Sequence, residues 1–353
     1  MTLPPIKKIC VIGGSNSIKA EGWTAQLAER IPYGAEFLNE SVGGVPCIMG
    51  YYRLVSLKQL KPGDVVLWEY ALNDQNHIDN RGYDPKLLLR FCEHTIRLCQ
   101  KRGLRFIPLI FASQATAALP EMTRYRRDLR ALFAHYGLDF VDVTEDLPKK
   151  MNRPDVPRFV YFDESHYKVD AFVVRYIATR ALALIRAGAG VAGTPERMFG
   201  AEVATIRTVT RFERGHAEPF RNSRVSVDRW TPSADGEPVA ITVDQGPFRL
   251  VGVVMLCTSF GGAFRVQAGA REFAISATYL EDKFTKPLLK FFTLSDDLDA
   301  GITYPPGSTI AFHWEDGALP LANDYGFMPK LNDQQLMGRQ SSVVGLMLEQ
   351  LTG

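Results

Sequence analysis

This 353-residue sequence has few cysteines, little net charge and no long apolar run. Its five cysteines are an odd number without a Cys-x-x-Cys pair, so neither a disulfide framework nor a zinc site is indicated. No stretch approaches the ~18 apolar residues of a membrane-spanning helix. With 41 basic and 39 acidic residues the formal net charge is +2, which provides no general attraction to nucleic acid. We therefore expect no metal, no other cofactor, no nucleic-acid partner and no integral membrane segment.

The segment Met1–Lys8 lacks the apolar stretch of a secretory signal and leads directly into a strand pattern. Apolar residues make up 46% of the chain, which indicates a packed globular protein, and the length suffices for two domains. These features predict a cytoplasmic protein with reduced cysteines, and they leave its oligomeric state open.

The first half of the sequence alternates between strand-like and helix-like segments. Short apolar runs predict strands, and stretches of about 10–18 residues with apolar positions at helical spacing predict helices. The predicted strands are 6–12, 35–38, 64–70, 104–111 and 138–143, and the predicted helices are 22–30, 51–60, 85–101, 121–136 and 169–187. Such alternation predicts an α/β fold, a doubly wound parallel sheet with helices on both faces.

The composition changes at the small residues of 188–196, which we interpret as a linker between domains 1–187 and 197–353. Beyond the linker the apolar runs are short and are separated by Gly, Pro and Asp. This spacing predicts a C-terminal antiparallel β-sandwich of the jelly-roll type. The last stretch, 334–351, fits a helix or a strand equally well.

Polar side chains follow several predicted strands of the first domain. Ser15 comes after a Gly-Gly turn at the end of the first strand, and Asn73 follows the third. Asp163 and His166 lie in the loop before the last helix of this domain. Ligands of open α/β folds bind at the carboxyl ends of the strands, so these side chains are candidates for a functional site. The alternative is structural: Ser15 and Asp163 would cap helices, and Asn73 would form a turn.

Four sequence blocks resemble, in order, those of the SGNH hydrolases, also called the GDSL esterase superfamily. The blocks are Gly13-Gly14-Ser15, Asn39-Glu40-Ser41-Val42-Gly43-Gly44, Ala71-Leu72-Asn73-Asp74 and Asp163-Glu164-Ser165-His166. Gly14 stands where this family usually has aspartate, and Ala71 stands where it usually has glycine. The resemblance covers the first domain and does not extend to the second.

The resemblance implies a flavodoxin-like sheet of the SGNH type and a catalytic triad. Ser15 would be the nucleophile, His166 its general base and Asp163 the group that orients the imidazole. A serine hydroxyl is a poor nucleophile at neutral pH, so the chemistry requires an adjacent base such as histidine. A spacing of three residues lets the base and its orienting carboxylate come from a single loop.

The resemblance also implies an oxyanion hole, the set of hydrogen-bond donors that stabilises the tetrahedral intermediate. Its donors would be the backbone N–H of Ser15, a backbone N–H in the glycine block and the side-chain amide of Asn73. The oxyanion glycine of the family aligns with Ser41, but Gly43 and Gly44 are close, so the resemblance leaves open which N–H of the 41–44 turn is the donor. A backbone N–H serves with either residue type.

These features predict a metal-independent serine esterase that hydrolyses short acyl esters, O-acetyl groups of a carbohydrate above all, through an acyl-enzyme on Ser15. The carbohydrate part rests on the resemblance, because an appended β-sandwich often accompanies glycan-directed members. One alternative is an O-acyltransferase of glycan or polysaccharide biosynthesis, since exclusion of water would turn hydrolysis into transfer. Another is a non-catalytic glycan-binding protein with the β-sandwich as its working part. Trp230, Tyr279 and Trp314 of the second domain are candidates to stack on sugar rings, although most such aromatics are expected in its core.

Two further titratable residues lie close to these blocks. Glu69 is a charged residue inside an apolar strand, so it must be paired or lie at a sheet edge. His77 lies four residues beyond Asn73 and is predicted to be solvated and outside the site.

Overall fold

The computed structural model divides into two compact units, Met1–Ala201 and Glu202–Gly353. The residues that the structure describes are 6–31, 34–119, 121–170, 172–199, 205–222, 225–233, 235–278, 286–294, 301–315 and 338–351. Each unit has its own core of buried apolar side chains. The boundary between the units falls shortly after the predicted linker, 188–196.

The first unit contains a five-stranded parallel sheet with the order β2-β1-β3-β4-β5. Its strands are β1 (Lys8–Gly13), β2 (Glu36–Asn39), β3 (Val65–Glu69), β4 (Arg105–Ile110) and β5 (Val141–Asp142). Every residue of β3 and β4 is buried, as expected for strands covered on both faces. The strand order is the flavodoxin-like one and reverses direction beside β1. The predicted α/β fold is confirmed.

Helices connect these strands and cover both faces of the sheet. They are α1 (Trp23–Ala28), α2 (Cys47–Ser56), α3 (Ala71–Arg81), α4 (Pro85–Lys101), α5 (Gln114–Ala117), α6 (Arg124–His135), α7 (Val143–Met151) and α8 (Phe172–Arg186). Ile9 of β1 belongs to the same core cluster as Trp23 of α1 and Ile177 of α8. Side chains alternate along a strand, so Cys10 points to the opposite face, where it lies near Cys99 of α4.

The beginning of the predicted linker packs along β4. Arg105 is buried, and its guanidinium donates to the carbonyls of Ile185 at 2.7 Å and Ala189 at 2.8 Å. These bonds satisfy the end of α8 and compensate for burial of the charge. The next carbonyl, that of Gly190, accepts the N–H of Phe106 at 2.7 Å.

Glu93 of α4 binds the segment that follows the predicted linker, at Met198 and Phe199. Its buried carboxylate accepts the N–H groups of Met198 at 2.7 Å and Phe199 at 2.8 Å, as well as the hydroxyl of Tyr136 at 2.6 Å. The segment after α8 therefore belongs to the first unit up to residue 199.

The second unit consists of two antiparallel sheets. Its strands are β6 (Thr205–Val209), β7 (His216–Arg221), β8 (Ser226–Thr231), β9 (Val239–Val243), β10 (Phe248–Cys257), β11 (Ala263–Ala268), β12 (Arg271–Ser276), β13 (Leu288–Thr293), β14 (Ser308–Glu315) and β15 (Ser342–Gln350). One sheet has the order β13-β10-β15-β8-β7, with β6 also paired to β15, and the other has the order β12-β11-β14-β9.

The two sheets of the second unit share one core. Val253 of β10, Phe264 of β11 and Ile310 of β14 belong to a single buried cluster, so the sheets pack face to face. The predicted antiparallel β-sandwich is confirmed. Of the two alternatives for the last stretch, the strand is correct for its described part, because β15 pairs with β10.

All five cysteines are free and buried. Burial raises the pKa of Cys10 and of Cys257 to about 12, so these thiols stay protonated at neutral pH. Within the described ranges, no helix combines the length and the hydropathy of a membrane span. The same residues contain no cluster of three or more His, Cys, Asp and Glu side chains that could hold a metal ion.

Candidate active site

Ser15 begins a 3₁₀ turn, Ser15–Ser17, directly after β1. The N–H of Gly14 donates to the carbonyl of Glu69 at 2.9 Å, which ties the start of this turn to the end of β3. Ser15 therefore lies at the carboxyl end of the sheet, where the strand order reverses and where open α/β folds bind ligands. Helix α1 has Gly22 as its N-cap, so Ser15 does not cap it.

His166 links Ser15 to Asp163. Its Nε2 lies 2.8 Å from Oγ of Ser15, and its Nδ1 lies 2.8 Å from each carboxylate oxygen of Asp163. A neutral imidazole protonated on Nδ1 donates to Asp163 and can accept the Ser15 proton on Nε2. The structure thus brings together three side chains that the sequence analysis selected, although 151 residues of sequence separate His166 from Ser15.

Asp163 is held in its ionised form. Burial opposes this ionisation, but the N–H of Ser165 together with the side chain and N–H of His166 outweigh it and hold the pKa of Asp163 below its usual range. The two N–H groups donate to Oδ1 at 2.9 and 2.8 Å. The short turn that carries both Asp163 and His166 therefore also fixes the carboxylate that orients the imidazole.

Asn16 fastens the His166 loop to the turn that carries Ser15. Its Nδ2 donates to the carbonyl of Ser165 at 2.7 Å, and its Oδ1 accepts the N–H of Tyr167 at 2.9 Å. These two backbone groups flank His166 on either side, and Asn16 is only 5% exposed. An amide suits this task because it carries a donor and an acceptor on one planar group. Nothing in the sequence distinguishes Asn16 as functional, because an Asn after Gly-Gly-Ser has the pattern of an ordinary turn.

Glu69, at the end of β3, is fully buried and binds the turn that carries Ser15. Its Oε2 accepts the N–H of Gly14 at 3.1 Å and the hydroxyl of Ser17 at 2.7 Å. Burial raises the pKa of Glu69 to about 8, although these two hydrogen bonds oppose the shift, so the carboxyl is mostly protonated at neutral pH. Of the two alternatives expected for Glu69, the sheet edge is wrong, because β3 pairs with both β1 and β4; the carboxyl is hydrogen-bonded through Oε2 and largely uncharged.

Asn73 lies in the first turn of α3 and is almost fully buried. Its Nδ2 donates to the carbonyl of Val45 at 2.9 Å, and the amide has a second N–H. Its side chain also lies against Gly14, where an added Cβ would be only 2.2 Å from Oδ1 of Asn73. The Asn73 amide therefore occupies the space that a side chain at position 14 would need, which is consistent with glycine at this position in place of the usual aspartate.

The glycine block follows β2 and reaches Ser15. A Cβ on Gly43 would lie 3.2 Å from Cβ of Ser15, so this glycine packs directly on the nucleophile turn. Gly44 has φ +65°, a conformation that favours glycine. The N–H of Ser41 donates to Oδ1 of Asn39 at 3.2 Å, so it is directed at this side chain. Gly43, one of the two glycines close to Ser41 in the glycine block, therefore lies against Ser15.

The prediction that His77 is solvated is wrong. Its side chain is buried, and its Nδ1 lies 2.7 Å from the carbonyl of Asn73, one helical turn earlier in α3. His77 is therefore buried within α3 and contacts the backbone of Asn73.

The aromatic residues of the second unit that could stack on sugars pack against its core instead. Trp314 stacks on Phe264 with ring centroids 4.4 Å apart, and Trp230 meets Phe212 edge-on at 5.5 Å. Both tryptophans border the core cluster of the sandwich. Tyr279 lies outside the described residues.

No protein-family model and no curated protein matches this sequence. Solved structures match its fold. A two-domain esterase active on acetylated mannans is similar over 98% of this chain and 92% of that chain, with a TM-score of 0.58 and 12% identity. A second structure described in the same words, co-crystallised with mannopentaose, matches 98% of this chain and 91% of that chain, with a TM-score of 0.60 and 12% identity.

A member of the lipolytic G-D-S-L family from Veillonella parvula matches 50% of this chain and 97% of that chain, with a TM-score of 0.40 and 17% identity. The match with the two-domain esterase covers nearly the whole of both chains and establishes their common fold. The sequence blocks that resemble those of the SGNH hydrolases therefore lie in a chain with the fold of a two-domain esterase.

Proposed function

We propose that this chain is a serine ester hydrolase that removes short acyl groups, acetyl above all, from a carbohydrate. The observation that carries the proposal is the hydrogen-bonded chain from Ser15 through His166 to Asp163, with 2.8 Å at each step. The carbohydrate part is supported by the common fold with an esterase active on acetylated mannans.

The proposed reaction follows from this chain of hydrogen bonds. Nε2 of His166 takes the Ser15 proton while Oγ attacks the ester carbonyl, and Asp163 stabilises the imidazolium that forms. His166 then passes the proton to the leaving sugar alkoxide, which leaves an acyl-enzyme on Ser15. Water, deprotonated by His166, attacks this acyl-enzyme in the same geometry and releases the acid.

The negative charge on the tetrahedral intermediate would be stabilised by N–H donors around Ser15. We assign the N–H of Ser15, an N–H of Gly43 or Gly44 and the second N–H of the Asn73 amide to this role. Loss of one such donor typically costs about 3 kcal/mol of transition-state stabilisation. The hydrogen bond from Ser41 to Asn39 favours the neighbouring glycines over Ser41 as the donor of this block.

The first test is hydrolysis of p-nitrophenyl acetate by the wild type and by Ser15→Ala, with fluorophosphonate labelling of both. We expect turnover and labelling in the wild type, and a loss of turnover of ~10³-fold or more in the variant, because removal of the nucleophile disables the whole triad. Ser56→Ala, at an exposed position at the end of α2, is the matched control and should keep wild-type activity.

Three outcomes separate the proposal from its alternatives. Turnover and labelling that are both lost in Ser15→Ala support the esterase. Labelling without turnover favours an O-acyltransferase whose acyl-enzyme is shielded from water. A folded wild type that neither turns over nor becomes labelled contradicts the proposal and favours a glycan-binding protein.

A further inference from the structure

A large aromatic side chain lies in solvent next to the triad. Phe162 immediately precedes Asp163, and it is 73% exposed, the highest fraction of any large apolar side chain in the described part of the chain. Exposure of an aromatic ring forgoes the free energy that its burial would provide. A single exposed ring is unremarkable by itself, so the surroundings of Phe162 decide its meaning.

Phe162 forms one wall of a cleft of about 350 Å³. The other lining residues are Lys19, Lys168, Val169 and Asp170. The volume falls in the range of small-molecule sites, and the lining combines two apolar side chains with two ammonium groups and one carboxylate.

The walls of this cleft belong to the two segments that carry the triad. Lys19 follows Ser15 by four residues, and its Nζ donates to the carbonyl of Tyr167 at 3.1 Å and lies 5.0 Å from the centroid of the Phe162 ring. The N–H of Phe162 donates to the carbonyl of His166 at 2.7 Å. A ligand in the cleft would therefore contact residues of the same two segments that carry Ser15 and the Asp163–His166 pair.

The chemistry of the lining fits one sugar ring. A pyranose presents an apolar C–H surface, which can stack on an aromatic ring, and a rim of hydroxyls that both donate and accept hydrogen bonds. The ammonium of Lys19 uses one of its three N–H bonds for Tyr167, and Asp170 provides an acceptor for hydroxyl protons. An acyl chain would meet three charged groups here, and a phosphate would meet the carboxylate of Asp170.

We propose that this cleft is a sugar subsite in which Phe162 stacks on a pyranose ring of the carbohydrate that carries the ester. Lys19, Lys168 and Asp170 bind the hydroxyls of that ring. The inference rests on the proposed function and adds its specificity determinant: recognition of the alcohol part of the ester by the loop that also carries Asp163 and His166.

The test measures binding and catalysis separately. Calorimetry with unacetylated mannotetraose and xylotetraose reports binding to the wild type, Phe162→Ala, Phe162→Trp and Phe159→Ala. Phe159 is the matched control, because it is 52% exposed in the same loop region and does not line the cleft. We expect Phe162→Ala to weaken binding of one of the two sugars about 10-fold, Phe162→Trp to retain it and Phe159→Ala to leave it unchanged.

The same variants are assayed on an acetylated oligosaccharide of that sugar and on p-nitrophenyl acetate. The ratio of kcat/KM on the oligosaccharide to kcat/KM on p-nitrophenyl acetate should fall about 10-fold in Phe162→Ala, mainly through KM. Wild type that binds neither sugar, or equal loss of binding in Phe159→Ala and Phe162→Ala, overturns the subsite. Wild type without esterase turnover, but with sugar binding that depends on Phe162, refutes the proposed function and leaves the subsite intact.

Discussion

Asn16 makes two of the hydrogen bonds that hold His166 in place, and neither involves the imidazole. Both act on the backbone groups of Ser165 and Tyr167, so they fix the point from which the His166 side chain extends. A general base must stay within hydrogen-bond reach of the proton that it removes. Asn16 is therefore a positioning residue, because it acts on the reaction through His166.

Replacement of Asn16 should reduce turnover more than substrate binding. We expect Asn16→Ala to lower kcat on p-nitrophenyl acetate ~10–100-fold with little change in KM, since a displacement of the base by about 1 Å can cost ~10²-fold in rate. Steady-state kinetics check this split. Asn80→Ala, at an exposed position in α3, is the control and should match the wild type. A raised KM at unchanged kcat would contradict the positioning role.

At the scale of secondary-structure elements, the turn after β1 leaves no room for a side chain at position 14. Asn73 fills the adjacent space, and its hydrogen bond to Val45 opposes any retreat. The geometry of one turn is thus set by a helix that begins after a neighbouring strand, β3.

Gly14→Ala tests this dependence between the turn and α3. The added Cβ would displace the Asn73 amide and weaken its bond to Val45, so we expect kcat to fall ~10-fold or more. The free energy of unfolding should decrease by only ~1–3 kcal/mol. Kinetics and urea unfolding measure the two effects. Gly193→Ala is the control, because the nearest atom to its Cβ would be 3.5 Å away. Full activity of Gly14→Ala would contradict the dependence of the turn on the Asn73 amide.

Elements with a buried apolar face could be predicted from the sequence, and elements without one could not. Helix α4 has apolar residues at helical spacing, Pro85 at its start and Asp84 as its N-cap, and its predicted bounds are those of the structure. Helix α3 is mostly polar, α7 contains Pro148, and strands β7 and β8 alternate only between exposed and half-buried positions. These four elements are not predicted from the sequence, because their periodicity carries little hydrophobic signal.

The same limit applies to the candidate site. The reacting side chains could be predicted because Ser15, Asn73 and the Asp163–His166 loop follow strands whose carboxyl ends meet at one edge of the sheet. The contacts of Asn16 and Gly43 could not, because they depend on the path by which distant loops return to Ser15. No local pattern in the sequence records that path.

At the scale of the whole molecule, Glu69 couples the stability of the fold to pH. Burial raises its pKa from the usual 4.5 to about 8, so the native state keeps a proton that the unfolded chain releases. The resulting stabilisation is complete below about pH 4.5 and is lost progressively as the pH rises to about 8.

Glu69→Gln should remove this part of the pH dependence. Between pH 5 and 8 we expect the free energy of unfolding of the wild type to fall by up to ~1.4 kcal/mol per pH unit more than that of the variant. Urea unfolding at several pH values measures the difference. Glu36→Gln, on the edge strand β2, is the matched control and should keep the wild-type slope. Equal slopes in the wild type and Glu69→Gln would show that Glu69 is ionised in the native state.

The burial of every cysteine has a practical consequence for studying the two units. A thiol reagent reaches such a side chain only when the core around it opens, so alkylation under native conditions follows local or global opening. Cys10, Cys47, Cys92 and Cys99 lie in the first unit and Cys257 lies in the second. Mass spectrometry of the alkylated peptides would therefore time the opening of the α/β unit and of the β-sandwich independently, in the unaltered protein.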